Sequence, residues 1–429
     1  MPDPLTGDHV AIVGAGLAGS LLAIYLAARG HRVEVFERRA DPRQGSASEG
    51  RSINLGLSAR GIRALRLAGL WESVRPHTVP MRGRYVHPRD GEPFFQPYGQ
   101  DPTEILYSIR RDVLARVLVE QAAPNVRFHF NAPCTGIERD IPALTVTGHG
   151  RLTPDYIVGA DGAFSTVRQE THRGLPADFR QDFLDWGYKE LHLPKTDHLE
   201  ALHVWPGERG LMVAHPNVDA SLTCTLFMPY AELAALPDVP GFFRRNFPSA
   251  EIPDLADQFA ANPVGHLVTV RTSHWRHADR VVLIGDACHA VYPFYGQGMN
   301  SAFEDCVVLD TCLAAHPADR AAAFAAYQRA RKPHTDVLAD LSEDNFVELR
   351  DRLRSPLHRA KKQLDTLLSR AFPGRWHPLY TMISHTTMPY GDALDRARAQ
   401  DRLVLRTALA GLLAGAAVLA AWKRRRHVQ

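Results

Sequence analysis

Cysteine is scarce in this chain of 429 residues: there are five, Cys134, Cys224, Cys288, Cys306 and Cys312, and no CxxC pair. An odd count without metal-ligand or small-domain spacing excludes a disulfide framework and a zinc site, and predicts reduced thiols. The opening MPDPLTGDH has no basic stretch followed by an apolar one, so no secretory signal is read there and the cytoplasm is the expected compartment. Internal repeats and low-complexity runs are lacking as well. Charge of one sign is lacking everywhere but the tail: after Asp401 come Arg402, Arg406, Lys423, Arg424, Arg425 and Arg426 with no acid, against a formal total of +3. The body is therefore slightly acidic, which excludes a nucleic-acid face on the main fold. With 45% apolar and 23% charged residues, a largely disordered or fibrous chain is excluded too. The length predicts two interlocked lobes and an appendage.

What is present begins with a βαβ pattern: an apolar strand His9 to Val13, a glycine turn, a helix from about Ala18 to Arg29 and a strand Arg32 to Glu37. Gly14, Gly16 and Gly19 in VAIVGAGLAGS fall between strand and helix, where a pyrophosphate needs close backbone approach and unpaired N–H groups. Glu37 lies near the spacing at which an acid accepts hydrogen bonds from an adenosine ribose. This fingerprint alone does not separate NAD from FAD. A second glycine-rich stretch, Gly285 to Gly298, follows the apolar strand Val281 to Ile284. Between them, HVWPGERGLMVAHPN and ASLTCTLFMPY predict antiparallel strands, and from about Ala302 the composition turns helical, through Asn345 and again through Leu367.

Downstream, DYIVGADGAFSTVR carries Asp161 and Gly162, and RVVLIGDACHAVYPFYGQGMN carries Gly285 and Asp286. Asp286 ends a buried strand where its carboxylate can accept hydrogen bonds from ribityl-like hydroxyls. The glycines of PFYGQGMN bring backbone N–H groups and a helix dipole to the start of the next helix, suited to negative charge on a reduced flavin. These motifs resemble those of the flavin aromatic hydroxylases. The runs GRSINLGLSARG (Gly50 to Gly61), PMRGR (Pro80 to Arg84), GYKEL (Gly187 to Leu191), TCTLFMP (Thr223 to Pro229) and PFYGQGMNSAFEDC (Pro293 to Cys306) narrow the resemblance to the kynurenine 3-monooxygenase family, from Val10 to about Arg396.

The resemblance implies an FAD-dependent monooxygenase that hydroxylates L-kynurenine to 3-hydroxykynurenine, with NADPH and O2, through a C4a-hydroperoxyflavin. It implies cofactor contacts from Gly14, Gly16, Ala18, Gly19, Glu37 and Arg38, from Asn54, Gly56, Arg111 and Cys134, and from Asp161, Thr166, Asp286, Gly298, Met299 and Asn300. It places Arg84, Tyr98, Asn345 and Tyr390 at the amino-acid end of the substrate, and Leu202, Leu211, Val213, Phe227 and Phe294 around its ring. A guanidinium fork suits a carboxylate, and phenol and amide groups complete the set an α-amino acid needs. An aniline activates its own ortho carbon, so no catalytic acid or base is assigned, and no metal. His215 and Tyr295 depart from the family pattern and bear on the ring substituents.

The fold expected is α/β: a Rossmann-like FAD-binding domain (1–75, 105–175 and 270–335) interlocked with a β-sheet-rich substrate domain (76–104 and 176–269). A helical C-terminal region (336–400) completes the pocket, followed by an apolar helix with a basic tail (401–429). Thr407 to Trp422 are uncharged and mostly apolar; sixteen helical residues span about 24 Å, short of a bilayer core. Membrane association through residues 403–426, interfacial docking and a packed helix all stay open for that tail. The expected partners are an aromatic amino acid, NAD(P)H and O2, with NADPH favoured by the resemblance, and the protein is a monomer or homodimer. Two other functions stay open: a flavin hydroxylase of another aromatic amino acid or phenol, and a non-catalytic flavin-binding interaction protein. The Trp-x-Trp-x-Ile-Pro signature of halogenases is absent.

Overall fold

The computed structural model describes residues 7–45, 53–99, 101–348 and 356–426; Gly50, Arg51 and Ser52 of the first narrow run lie outside the described residues, as do the side chains of Lys423 to Arg426. Six strands form one sheet in the order Arg276–His277, Val281–Leu283, Tyr156–Gly159, His9–Val13, Arg32–Phe36 and Val126–His129. All neighbours are parallel except at the Arg276–His277 edge. Strands buried on both faces must be apolar along their length rather than alternating. Val10, Ile12, Ile157, Val158, Val281, Val282 and Leu283 are accordingly fully buried.

Register then positions the turns. Val13 lies opposite Gly159, and Gly159 opposite Leu283. The segments that follow these three residues leave the sheet at one carboxyl edge, where open parallel sheets bind ligands.

A second sheet has seven strands, in the order Gly265–Thr272, Phe179–Leu193, Leu222–Pro229, Leu211–Pro216, Ala201–Pro206, Gly83–Val86 and Phe94–Pro97. Strand side chains alternate between faces. Leu191, Trp205, Met212, Ala214, Cys224, Leu226 and Met228 go to one face and pack on Phe242, Phe243 and Phe247. The opposite face carries Arg84 beside Leu202, Val213 beside Thr225, and Leu211 beside Phe227. Tyr188 and Phe227 on that face pack with Tyr292 and Phe294. The antiparallel strands expected here are present; the strand bearing Arg84 joins them in parallel.

That strand is clamped from behind. His87, just past its end, shares a 2.9 Å hydrogen bond with His203 and stacks on Trp205 with ring centroids 4.1 Å apart. Burial pushes the His87 imidazole down to about 4 and lowers His203 also. The His87 ring is thus neutral when folded and charges near 6.5 when unfolded, so its stabilisation is complete above about pH 6.5 and is lost as pH falls toward 4. Urea unfolding should show wild type losing about 1–2 kcal/mol more than His87→Leu between pH 7 and 4.5. Parallel losses in the two proteins would refute this reading of the clamp.

The last quarter is helical: Gly298–Ala315, Arg320–Val347, Pro356–Ala371, Leu379–Ser384 and Tyr390–Arg426. The final helix starts in the core, with Tyr390 and Ala393 fully buried, and runs outward to Leu403 and Leu405, which are exposed. Among the described residues no helix is long and apolar enough to cross a membrane.

Candidate active site

The first glycine turn is shaped by contact. A Cβ at Gly14, whose φ is +106°, would stand 2.4 Å from the Ala160 carbonyl oxygen, and one at Gly19 would stand 2.0 Å from the oxygen of Gly14. At Gly16 a Cβ would meet nothing within 4 Å. The space in front of the helix Leu17–Ala28 is open there, as a phosphate requires. Glu37 is buried and accepts from Ala15 N at 2.8 Å, Arg39 N at 2.9 Å and Arg39 Nε at 2.9 Å. Burial alone would raise its carboxyl pKa, but the Arg39 guanidinium holds it below the usual range. Arg38 is exposed, and the guanidinium on Glu37 belongs to its neighbour.

The second and third turns divide their labour. Ser165 caps the helix Thr166–His172 by accepting from Arg168 N at 2.9 Å, and Asp161 fixes the turn before it by accepting from the Ser165 hydroxyl and from Val167 N at 3.1 Å. Burial pushes the Asp161 pKa up. Asp286, after Gly285 at φ +59°, is exposed at the carboxyl edge and accepts no hydrogen bond from another described residue. Ala18 lies beside this turn, 3.4 Å from where a Gly285 Cβ would be. Cys134 faces the Gly136 carbonyl at 3.5 Å.

The remaining cofactor candidates share one wall. Asn54 pairs with Arg110 across a strand ladder, and Arg111 N donates to Ile53 O at 3.3 Å. Asn54 donates to Asn217 at 2.7 Å. Asn300 donates to the Gly56 carbonyl at 2.8 Å and accepts from Ser58 N at 2.9 Å, while Met299 packs on the main core. Both residues belong to the helix that begins at Gly298.

Behind this wall runs a buried ionic network that motif reading missed. Asp305, fully buried, accepts from Gly285 N at 3.0 Å, His289 Nε2 at 2.5 Å and Arg331 Nε at 2.7 Å. Burial would raise Asp305, but His289 and Arg331 hold it low. Arg331 also donates to Glu304 and, at 2.9 Å, to Ser301 Oγ. Glu304 accepts from Arg60 at 2.8 Å, and the Arg60 guanidinium lies 4.0 Å over the Tyr390 ring. The signal was available: the adjacent acids Glu304 and Asp305 in SAFEDCVVL interrupt an apolar helix and need cationic partners if buried.

Arg84 and Tyr98 come together on the open face of the second sheet, with partners that the sequence did not announce. The Arg84 guanidinium lies 4.9 Å over the Tyr380 ring, and Tyr380 stacks at 6.0 Å on both Tyr98 and Tyr295. Burial alone would lower the Arg84 pKa, yet Tyr380, Tyr98 and Glu348 hold it above its usual value. Asn345 donates to the Phe294 carbonyl at 2.7 Å. Tyr390 is turned elsewhere: its hydroxyl reaches Gln297 at 3.4 Å. Phe294 stands 5.3 Å from Phe227, and a cavity of about 240 Å³ touches Leu211, Phe294 and Phe346. His215 lies on the Arg84 face with its imidazole pushed down by burial to about 4. Glu190, in register with Thr225, is buried on the same face and pushed up to about 7, with the Arg111 charge opposing.

Open space at Gly16, an exposed carboxylate at Asp286 and a buried ribose-type acid at Glu37 fit a flavin dinucleotide laid along the carboxyl edge. Residues 8–342 match the FAD binding domain family. The chain is 58% identical to the kynurenine 3-monooxygenase of Salinispora arenicola (strain CNS-205) over 98% of each chain. It is 40% identical to that of Myxococcus xanthus (strain DK1622), covering 92% of this chain and 90% of the relative. In fold it is similar to 2-methyl-3-hydroxypyridine-5-carboxylic acid oxygenase, at a TM-score of 0.69 and 22% identity over 82% of this chain and 95% of that one. It is also similar to Pseudomonas aeruginosa PqsL in complex with 2-aminobenzoylacetate, at 0.68 and 24% over 81% and 98%.

Proposed function

The chain belongs to the kynurenine 3-monooxygenases, and from that premise we propose that it hydroxylates L-kynurenine to 3-hydroxykynurenine with FAD, NAD(P)H and O2. The observation that carries the reading is a link: the segment that runs from the Asp286 turn to Gly298 carries Tyr295, which stacks at 6.0 Å on Tyr380 beneath Arg84. When bound, FAD supplies the redox chemistry that activates O2 for transfer to the ring.

In this reading the segments 1–75, 105–175 and 270–335 hold the cofactor, and 76–104 with 176–269 hold the substrate, closed by 336–400. Glu37 receives the adenosine ribose and Asp286 the ribityl hydroxyls; the helix that begins at Gly298 presents its N–H groups to the flavin. Arg84 binds the substrate carboxylate as a fork, with Tyr98 and Asn345 beside it. Leu202, Leu211, Val213, Phe227 and Phe294 wall the ring and keep water away from it.

Purified protein incubated with FAD, L-kynurenine and NADPH should give a product heavier by one oxygen, identified by mass spectrometry as the 3-hydroxy compound. NADPH oxidation that yields only hydrogen peroxide would remove kynurenine as the substrate. A second reading rests on His215, an imidazole on the face that walls the ring: a related aromatic amino acid with a more polar ring. Parallel assays with anthranilate and phenolic acids separate the two.

A further inference from the structure

The cluster around Arg84 contains two polar atoms that the protein leaves unsatisfied. Tyr98 Oη and His385 Nε2 are buried, and neither has a hydrogen-bond partner among the described residues. The two rings lie 5.6 Å apart, and Tyr380, stacked under Arg84, lies 6.0 Å from Tyr98 and 6.2 Å from His385. Each unmade buried hydrogen bond costs about 1–3 kcal/mol. Two such atoms beside a buried guanidinium therefore mark the place where a ligand's polar groups complete the set.

The chemistry of the two ends of an α-amino acid decides which group each atom takes. Arg84 has only donors and suits the carboxylate; an ammonium also has only donors and needs acceptors. Phenol oxygen and neutral imidazole nitrogen are acceptors. Burial pushes His385 down to about 4, so its ring is neutral at physiological pH and one nitrogen keeps its lone pair.

We propose that His385 is a substrate-binding residue whose imidazole, together with the Tyr98 hydroxyl, accepts hydrogen bonds from the α-ammonium group of the amino-acid substrate. This rests on the reading of the substrate as L-kynurenine. His385 follows the helix Leu379–Ser384, so the ammonium site is shared between the C-terminal region and the second sheet, which alone supplies the carboxylate site. Recognition of a whole α-amino acid then requires both to be in place.

The test uses FAD-loaded enzyme and two ligands: L-kynurenine, and 4-(2-aminophenyl)-4-oxobutanoate, which lacks only the α-amino group. Dissociation constants are read from perturbation of the flavin absorbance. His385→Phe should weaken kynurenine by about 10- to 100-fold while changing the des-amino ligand by less than about threefold, and His385→Gln, which keeps an acceptor, should recover most of the loss. FAD affinity and the urea midpoint of both variants should match wild type. Equal weakening of both ligands, or unchanged kynurenine binding, overturns the proposal. Wild-type enzyme that binds neither ligand overturns the substrate reading, and the His385 assignment with it.

Discussion

Arg84→Met is expected to raise the KM for L-kynurenine by about 30- to 1,000-fold and to leave the FAD dissociation constant within a factor of about two. The size follows from removing one partner of a desolvated charge pair, which costs about 2–4 kcal/mol. The selectivity follows from position: Arg84 lies on the second sheet, over Tyr380, while Gly14, Glu37 and Asp286 lie at the edge of the first. Methionine replaces the arginine stem with an unbranched apolar one, so the loss reports the fork more than an emptied cavity. An unchanged KM in protein that retains FAD would show that the carboxylate is held elsewhere.

Arg331→Met is expected to lower stability by about 3–5 kcal/mol, read as a fall in the urea midpoint. Arg331 neutralises Asp305 and Glu304 at once, and Asp305 is fully buried. Without the guanidinium these acids either remain charged in the core or take up protons, and both outcomes cost free energy. The damage should also reach the cofactor. Asp305 holds Gly285 N at 3.0 Å, and Gly285 sets the direction of Asp286. Flavin retained after gel filtration should therefore drop in this variant, whereas it stays at the wild-type level in Arg84→Met. A midpoint shift below about 1 kcal/mol would mean that water or rearrangement compensates the network.

Local features of the site were legible in the sequence and long-range ones were not. The glycine fingerprint, Glu37 and the Gly285–Asp286 turn announce themselves because strand, turn and helix succeed one another within a few dozen residues. Alternation in TCTLFMP identifies Thr225 and Phe227 as one face and Cys224 and Leu226 as the other. Arg39 shows where such reading stops: no motif names it, and only the three-dimensional course of the chain turns its guanidinium onto Glu37. Tyr98 and His385 stand 287 positions apart and meet only because the C-terminal helices fold back onto the second sheet. Nothing at either position marks the encounter. Tyr390 carries the same lesson in reverse, since its motif is present but Arg60 and Gln297 claim the side chain.

The strand order of the first sheet also governs when this protein acquires its colour. His9–Val13 is synthesised long before Val281–Leu283, two places away in the sheet. At about 5–20 residues per second the gap lasts roughly 15 seconds to a minute. Flavin capture must therefore wait until the last of the three edge turns has been made.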